Sequence, residues 1–255
     1  MNPGTTESFY DELTPYYHLI FENWEASMTR QAAALDAIVQ QTWGAGQGRT
    51  VLDAACGIGT QAIGLARLGY RVTGSDISAR ELERAKEEAT AHGVELELAV
   101  ADMRALPTTF PGRQFDIVLA CDNALPHLLT HDDLLQAFQS FYGCTRPGGG
   151  CLISVRDYET EPKEGTHIKP VGVRQEGDTR HVVFQVWEFT SPSIYDLSLY
   201  LTTDKGGECT TRVLRSEYYA VSIPKLMALM EQAGFEEVTR IDGAFYQPIL
   251  VGKKR

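Results

Sequence analysis

An alternation of short apolar runs with helical patterns, between residues 49 and 155, restricts the fold of this chain more than any other feature. Five runs are typical of strands: RTVLDA, YRVTGSD, VELELAV, FDIVLAC and GCLISV. The segments between them favour helices, and DDLLQAFQSFYG follows Thr130 and includes Asp133, which are spaced as a capping pair. Because strands and helices alternate, we expect an α/β fold with a parallel sheet and right-handed crossovers.

The residues on either side of this alternation have different patterns. The first 48 residues carry a helical stripe of apolar side chains. Three long β-type runs follow the alternation, VVFQVWEF, IYDLSLYLTT and TTRVLRSEYY, and turn signals separate them. A helical pattern after Ser222 and two strand patterns complete the sequence. We therefore predict three parts: an N-terminal helical segment (1–48), an α/β domain (49–156 and 218–255), and an antiparallel β insertion (157–217).

The charge balance of the chain argues against two classes of partner. The 255 residues carry a formal net charge of −11 at pH 7, and the sequence pI is about 5.0. Nucleic-acid backbones and anionic membrane surfaces favour basic proteins, so we expect neither of them as the main partner.

Cysteine spacing and hydropathy indicate a compartment. The five cysteines form no C-x-x-C pair and no Cys/His cluster with zinc-ligand spacing, so we expect no metal site. The first residues, MNPGTTESFYDEL, are polar and acidic, unlike a targeting peptide. No apolar run reaches the roughly 18 residues that a membrane-spanning helix needs. We therefore expect a protein of the reducing cytoplasm.

The stretch VLDAACGIGT ends a predicted strand with two glycines, Gly57 and Gly59, which indicates a backbone turn close to a ligand. A dinucleotide fits this loop, because Gly57 to Ala62 satisfies G-x-G-x-x-G/A and Asp76 follows about 20 residues later. S-adenosylmethionine is bound by loops of the same kind. A tight turn without any ligand is the third possibility.

Acidic residues at the ends of successive strands favour S-adenosylmethionine. Asp53 directly precedes the glycine loop, where a carboxylate repels a pyrophosphate but suits an ammonium and a sulfonium group. Asp102 follows the third strand and is placed to accept a hydrogen bond from an adenine amino group. Together with Asp76, these residues lie where open α/β sheets bind their ligands.

Several motifs, in this order, resemble those of class I S-adenosylmethionine-dependent methyltransferases: VLDAACGIGT, the turn at Asp76, ADMRAL, FDIVLACDNALPHLL and RPGGGCLISVRDY. The resemblance implies a Rossmann-like seven-stranded, mostly parallel sheet with an antiparallel last strand. It also implies S-adenosylmethionine as the cofactor, with Gly57 at the loop, Asp76 on the ribose and Asp102 on the adenine. The other cofactor contacts that it implies are packing by Ile77 and backbone groups near Ala55, Met103 and Cys121.

Within this family, DNALPHL, RDY and the β-rich insertion are similar to glycine and sarcosine N-methyltransferases. This resemblance implies that Arg156 binds the substrate carboxylate, that Asn123 contacts the substrate and that His127 lies by the cofactor. Asp157 stands where those enzymes usually carry Asn, which adds a negative charge beside the proposed carboxylate site.

The N-terminal stretch FYDELTPYYHLIFENWEASMTRQ looks like the lid that covers the cofactor in such enzymes. The cofactor contacts implied for it are Tyr10, Trp24 and Arg30. Tyrosine faces in this stretch are suited to sheltering a cationic nitrogen through cation–π attraction, and Tyr17 is the catalytic candidate among them.

These observations predict methyl transfer to the amine of a small, carboxylate-bearing molecule such as glycine or sarcosine. A neutral amine needs no strong base, in agreement with a sequence that shows no Ser/His/Asp or paired-carboxylate pattern. Four alternatives stay open: a larger amine, an O-methyltransferase with His127 or a tyrosine as base, a cofactor-binding domain without turnover, and a dehydrogenase. Arg156 is also placed for a structural ion pair with Asp157, and the β insertion for contacts in a homo-oligomer.

Overall fold

The computed structural model describes residues 4–255, so residues 1–3 of the predicted N-terminal segment lie outside the described residues. The strands form two separate sheets, one of seven strands and one of four. In chain order they are β1 (Thr50–Asp53), β2 (Arg71–Asp76), β3 (Glu97–Val100), β4 (Phe115–Ala120), β5 (Thr145–Ser154), β6 (Thr166–Glu176), β7 (Thr179–Phe189), β8 (Ile194–Lys205), β9 (Glu208–Tyr219), β10 (Glu236–Ile241) and β11 (Ile249–Lys253).

The seven-stranded sheet has the order β10-β11-β5-β4-β1-β2-β3. β1 pairs in parallel with β2 and β4, and β4 with β5, whereas β11 runs antiparallel to both β5 and β10. The predicted Rossmann-like α/β fold with an antiparallel last strand is therefore confirmed. The chain order reverses between β1 and β4, so the loops after these two strands diverge and open a crevice at the carboxyl edge.

Helices cover both faces of this sheet. They are α1 (Thr6–Leu13), α2 (Trp24–Trp43), α3 (Thr60–Arg67), α4 (Ala79–Ala91), α5 (Leu106–Thr109), α6 (His131–Cys144) and α7 (Ile223–Gln232). The predicted capping pair does start α6, because the Asp133 amide donates to Oγ1 of Thr130 over 3.1 Å. Among the described residues, no helix combines the length and the apolar character needed to cross a bilayer.

The second sheet is antiparallel throughout, with the order β6-β7-β8-β9. The sequence predicted β7, β8 and β9 but not β6, which contains Pro170 and Gly172 and shifts its register between them. An edge strand tolerates both residues because one of its sides needs no ladder partner. The inner face of this sheet is apolar and buried, and Trp187, Tyr195 and Leu199 are at its centre.

The N-terminal segment lies between the two sheets. Apolar side chains of α1 and of the following 3-10 helix, Thr14–Ile20, pack on the inner face of the four-stranded sheet. Hydrogen bonds attach the segment to α4 and its cap: the Ser78 hydroxyl donates to Asp11 over 2.6 Å, a 2.9 Å bond joins the Thr14 hydroxyl to the Glu81 carboxyl group, and the Arg84 guanidinium donates to the Thr14 carbonyl. The segment is therefore held against both sheets at once.

Asp116 fastens the start of β4 to the start of β1, far from the crevice. Its buried carboxylate accepts hydrogen bonds from the amide of Thr50 over 2.8 Å and from its hydroxyl over 2.6 Å. Arg49 and Arg146 form ion pairs with the same carboxylate. Burial alone would raise the pKa of Asp116, but the Thr50 hydrogen bonds and the two arginines outweigh it, so this pKa is lowered.

We expect Asp116→Asn to lower the free energy of unfolding at pH 7 by about 1–3 kcal/mol, because one partner of a buried, charge-assisted network is lost. A group with a lowered native pKa stabilises the fold above its unfolded pKa, about 3.9, and this contribution is lost as the pH falls below that value. Chemical denaturation at pH 7 and near pH 3 measures the difference. Asp242→Asn, which alters an exposed carboxylate, is the control, and equal losses in both variants would contradict the expectation.

Candidate active site

Two adjoining cavities open at the carboxyl edge of the seven-stranded sheet. The strand-end cavity, of about 420 Å³, lies over the ends of β1, β2 and β4. The insertion cavity, of about 620 Å³, lies between the N-terminal segment, the end of β5 and the inner face of the four-stranded sheet. Tyr10, Tyr17 and Asp122 line both cavities and form the boundary between them.

The strand-end cavity gathers predicted cofactor residues from four separate loops. At the glycine loop, Gly57 and Gly59 have φ values of +51° and +93°. A Cβ at Gly57 would lie 3.3 Å from the Glu81 carboxylate and 3.7 Å from the Tyr17 ring. The predicted residues that line this cavity are Tyr10, Ala55, Gly57, Asp76, Ile77, Asp102, Met103, Cys121 and, from the catalytic set, Tyr17 and His127.

Asp76 joins two of these loops. Its carboxylate accepts hydrogen bonds from the backbone amides of Gly57, over 2.9 Å, and Ser78, over 3.0 Å. Burial raises the pKa of Asp76, although these backbone hydrogen bonds oppose the rise. Each carboxylate oxygen has a second lone pair, so the group can still accept hydroxyl hydrogen bonds from the cavity side.

Asp102 is tied to a neighbouring arginine. Its oxygens accept from the Arg104 backbone amide over 2.8 Å and from the Arg104 guanidinium over 2.6 Å, and Arg104 also reaches Asp133 over 2.6 Å. Burial would raise the pKa of Asp102, but Arg104 outweighs it, and the pKa is lowered. The group is therefore an ionised carboxylate at the rim, with part of its acceptor capacity already used.

Asp53 lies beneath the glycine loop and lines neither cavity. It is fully buried, one carboxylate oxygen faces the Ala55 amide at 3.4 Å, and the other has no hydrogen-bond partner among the described residues. Burial raises the pKa of Asp53 well above its usual range. The sequence analysis predicted that the Asp53 carboxylate faces the ammonium and sulfonium groups of the ligand. Because this side chain lines neither cavity, it does not make that contact directly.

His127 lies at the boundary as a neutral ring. The Tyr10 hydroxyl is 2.8 Å from its Nε2, and the Ser216 hydroxyl is 3.3 Å from its Nδ1. Burial lowers the pKa of His127 to about 3, and it raises the pKa values of Tyr10 and Tyr17 well above 10. Near neutral pH these three groups are uncharged, so none of them is a ready proton acceptor.

Asn123 supports the insertion cavity. With Asp122 it forms a pair of left-handed residues after β4, with φ values of +66° and +57°. Its side-chain nitrogen donates to the Tyr158 hydroxyl over 2.8 Å, and its side-chain oxygen accepts from the Arg156 amide over 3.0 Å. Asn123 lines the insertion cavity, but this amide is engaged in positioning the residues after β5.

Arg156 extends into the insertion cavity without an acidic partner. Its guanidinium lies over the Trp187 ring, 4.5 Å from the centroid, and no ion pair of the described residues includes it. Asp157 pairs instead with Arg240, over 2.7 Å. The alternative of a structural Arg156–Asp157 ion pair is therefore wrong, and the negative charge of Asp157 is already balanced.

Two predicted cofactor contacts lie away from the strand-end cavity. Trp24 is buried, donates from its indole nitrogen to the Thr60 hydroxyl over 2.8 Å and packs against Met28. This tryptophan was predicted from a loosely aligned stretch, and the structure uses it to hold α2 on α3. Arg30 is exposed and lines the insertion cavity.

The sequence analysis missed residues that complete the boundary. The Tyr246 hydroxyl donates to the Asp122 carboxylate, and the Tyr218 ring lies 4.1 Å from that of His127. Asp122 could have been found, because it lies two residues after the end of β4, at the carboxyl edge. Tyr218 and Tyr246 come from β9 and the β10–β11 loop, and only the folded chain brings them here. The described residues hold no cluster of three or more potential metal ligands.

Comparisons with known proteins identify the domain. Residues 51–149 match the family described as methyltransferase domain. A Bacillus subtilis (strain 168) protein named as a methyltransferase is 34% identical over 152 residues, which cover 58% of this chain and 53% of that protein. The glycine/sarcosine N-methyltransferase of Aphanothece halophytica is 26% identical over 199 residues, 75% of this chain and 68% of that enzyme. The chain thus matches only about half the length of the first of these relatives.

A solved structure shares the fold along almost the whole chain. The S-adenosylmethionine-bound aminopentose methyltransferase CalS10 of Micromonospora echinaspora superposes with a TM-score of 0.77, at 16% identity, over 90% of this chain and 92% of that one. Residues 51–149 thus carry the methyltransferase-domain match, and the fold around them is shared with this S-adenosylmethionine-bound methyltransferase. The predicted cofactor is confirmed, and the dinucleotide alternative is set aside.

The strand-end cavity fits this cofactor. Asp76 offers a carboxylate to ribose hydroxyls, and Ile77 and Met103 offer apolar walls to a purine ring. The cavity is also lined by three further acidic residues, Asp102, Asp122 and Asp133. Arg104 lines it as well, and its charge is paired with Asp102 and Asp133. Such an acid-rich surface suits a cationic sulfonium compound and disfavours a pyrophosphate.

We expect Asp76→Ala to weaken binding of S-adenosylhomocysteine at least tenfold, because the variant loses both the ribose acceptor and the anchor of the Gly57 amide. Isothermal titration calorimetry measures this. Asp132→Ala, an exposed change on α6, is the control and should keep the wild-type affinity. Equal affinity of Asp76→Ala and the wild type would contradict the assignment of the ribose site.

Acid should destabilise the protein through His127. In the unfolded chain histidine titrates near 6.5, whereas the native ring stays neutral down to about pH 3. Between these values only the unfolded state takes up this proton. The free energy of unfolding therefore decreases as the pH is lowered from 6.5 towards 3, by up to about 1.4 kcal/mol per pH unit. His127→Gln should remove that contribution and flatten the curve measured between pH 6.5 and 4.5. The difference in free energy of unfolding between the wild type and the variant at pH 8 measures the cost of the lost hydrogen bonds of His127. If this difference stays the same below pH 6.5, the expectation is wrong.

Proposed function

We propose that this chain transfers a methyl group from S-adenosylmethionine to the amine of a small molecule that also carries a carboxylate. One observation carries the proposal: two groups of opposite charge line the inner part of the insertion cavity, Asp122 at the boundary with the strand-end cavity and Arg156 beside Trp187. The other charged residues that line this cavity are Glu22, Arg30 and Arg174. A zwitterionic amino acid has the complementary pair of charges.

Arg156 supplies the carboxylate site. The Trp187 ring supports the plane of its guanidinium, and Asn123 fixes its backbone amide. A planar guanidinium binds a carboxylate through two parallel hydrogen bonds, and hydrogen bonds to charged groups contribute about 1.5–3 kcal/mol. Anchoring one end of the acceptor in this way determines where its nitrogen points.

Asp122 serves the amine end. The Tyr246 hydroxyl donates to its carboxylate and fixes its direction. Burial raises the pKa of Asp122, an effect that hydrogen bonds from Tyr246 and Gln61 oppose. A carboxylate of raised pKa attracts an ammonium group and can accept one of its protons, which leaves the neutral nitrogen needed for attack.

The remaining residues of the boundary place the acceptor and exclude water. When bound, S-adenosylmethionine supplies a methyl group that is already electrophilic, so the chain needs to align the acceptor rather than activate it. Tyr10 and Tyr17 line the passage between the cavities with aromatic faces that suit a cationic nitrogen. Neutral His127 is a poor base for a hydroxyl acceptor, which favours an amine over an O-nucleophile.

Cavity size favours an acceptor larger than glycine. About 620 Å³ lies in the range of pockets that bind drug-sized ligands, roughly 300–1,000 Å³, and glycine or sarcosine would leave most of it to solvent. The enzyme of Aphanothece halophytica is named for glycine and sarcosine, and CalS10 for an aminopentose. We therefore place larger amino acids first among the acceptors and keep glycine and sarcosine in the test set.

We expect Arg156→Gln to lower kcat/KM for a carboxylate-bearing amine about 10- to 100-fold, which corresponds to the loss of about 1.5–3 kcal/mol. Affinity for S-adenosylhomocysteine should stay unchanged, because Arg156 does not line the strand-end cavity. Methyl transfer is measured with a panel of amino acids, the matching amines without a carboxylate, phenols and carboxylic acids. Arg67→Gln, an exposed change on α3, is the control.

Two results would overturn the proposal. The first is wild-type methylation confined to phenols, carboxylic acids or amines without a carboxylate. The second is an Arg156→Gln variant that methylates amino acids at the wild-type rate.

A further inference from the structure

Glu81 places a carboxyl group without access to solvent between the N-terminal segment and the glycine loop. The residue lies in the first turn of α4 and is fully buried. Its Oε1 atom is 2.9 Å from the Thr14 hydroxyl, and its Oε2 atom has no hydrogen-bond partner among residues 4–255. A Cβ at Gly57 would lie 3.3 Å from that second oxygen. One side chain thus adjoins both the N-terminal segment and a loop that lines the strand-end cavity.

The ordinary role of a glutamate at this position is helix capping. Ser78 and Glu81 have the spacing of a capping box, in which the glutamate side chain accepts a hydrogen bond from the backbone amide of the serine. Only half of the box forms here. The Glu81 amide donates to the Ser78 hydroxyl over 3.1 Å, but the Ser78 amide donates to Asp76 over 3.0 Å. The Glu81 carboxyl group is therefore not used as a cap.

The surroundings of this carboxyl group favour its neutral form. The titratable and charged groups that face it from the neighbouring elements are Asp11 (α1), Tyr17 (3-10 helix), Cys56 (glycine loop), Asp76 (β2) and Arg84 (α4). Burial raises the pKa values of Tyr17 and Cys56, so both are uncharged near neutral pH. The charge of Arg84 is shared with Glu88, over 3.2 Å. Burial, and next the negative charge of Asp76, raise the pKa of Glu81 to about 8.

The contacts of Thr14 show what a proton on Glu81 does. The Thr14 hydroxyl lies 2.7 Å from the Tyr10 carbonyl oxygen and 2.9 Å from Oε1 of Glu81. A hydroxyl group has one hydrogen, so it can donate to only one of these oxygens. When Oε1 carries a proton, Glu81 donates to Thr14 and Thr14 donates to Tyr10, and both contacts are hydrogen bonds. When Glu81 is ionised, one of the two contacts loses its hydrogen.

We infer that Glu81 is a positioning residue for the cofactor: as a neutral carboxylic acid it holds the N-terminal segment over the strand-end cavity, and its ionisation releases the segment. Thr14 lies in this segment between Tyr10 and Tyr17, which line the cavity. The Tyr10 hydroxyl is in turn 2.8 Å from Nε2 of His127. Loss of the proton loosens the wall that the two tyrosines form, so affinity for the cofactor falls at alkaline pH. This role does not depend on the identity of the methyl acceptor.

Calorimetric titration with S-adenosylhomocysteine between pH 7 and 9 tests this role. If only the protonated form holds the segment, the apparent dissociation constant is the intrinsic one divided by the protonated fraction. Glu81→Gln keeps a neutral side chain that can donate to Thr14. The ratio of the wild-type dissociation constant to that of Glu81→Gln should therefore rise about tenfold from pH 7 to pH 9.

The ratio cancels the titration of the ligand and of every other group, because these are common to both proteins. Glu83→Gln, an exposed change on the same helix, is the control and should follow the wild type at each pH. A ratio that stays constant between pH 7 and pH 9 would overturn the inference.

The stability of the same two proteins gives a readout that needs no ligand. Glutamate in an unfolded chain titrates near 4.3, whereas the native pKa of Glu81 is about 8, so only the native state holds this proton between these values. The free energy of unfolding of the wild type should therefore fall relative to Glu81→Gln as the pH rises from 5 to 8, and the difference should then level off. Chemical denaturation measures it, and an equal difference at pH 5 and pH 8 would show an ionised Glu81 and refute the inference.

Thr14→Val tests the route through the N-terminal segment, because valine has the shape of threonine without the hydroxyl. At pH 7 the affinity of this variant for S-adenosylhomocysteine should already be close to that of the wild type at pH 9. Its further loss between pH 7 and pH 9 should be small, since Glu81 no longer holds the segment. A wild-type pH profile in Thr14→Val would exclude this route.

Discussion

The side-chain amide of Asn123 connects the two sheets, and the shape of the site depends on it. Its nitrogen donates to the Tyr158 hydroxyl, which lies 3.0 Å from the Tyr195 hydroxyl on the insertion sheet, while its oxygen holds the Arg156 amide. The backbone at Asn123 is left-handed, a conformation that Asn tolerates better than most residues. Asn123 thus adopts the backbone conformation that the turn after β4 needs and also forms both hydrogen bonds. These hydrogen bonds fix the position of the insertion sheet relative to the ends of the strands.

Burial controls the charges of the site more than pairing does. The pKa values of Asp53, Asp76 and Asp122 are all raised by removal from water, and the same effect leaves His127 neutral. Arg156 differs because an enclosed guanidinium keeps its charge at any ordinary pH. The two cavities therefore share an acidic boundary at Asp122, and Arg156 stands as a permanent cation on the insertion side, together with Arg30 and Arg174.

The periodicity of apolar residues in the sequence was sufficient to predict the seven-stranded sheet, because its strands and helices each show the pattern typical of that element. They also indicated the glycine loop, Asp76 and Asp102, which lie at strand ends that any parallel sheet brings to one edge. They failed where the outcome depends on distant partners. Asp157 pairs with Arg240 rather than Arg156, and β6 forms despite Pro170 because an edge strand needs only one neighbour. Asp53 has the expected position in the chain, yet its side chain points beneath the loop.

The N-terminal segment borders both cavities. Tyr10 and Tyr17 belong to it and line the strand-end cavity as well as the insertion cavity. Hydrogen bonds that involve Asp11, Thr14 and Arg84 fasten it to α4 and its cap, and its apolar side chains pack on the inner face of the four-stranded sheet. The two cavities are therefore enclosed by one short segment, so a local opening of that segment would expose both of them to solvent together.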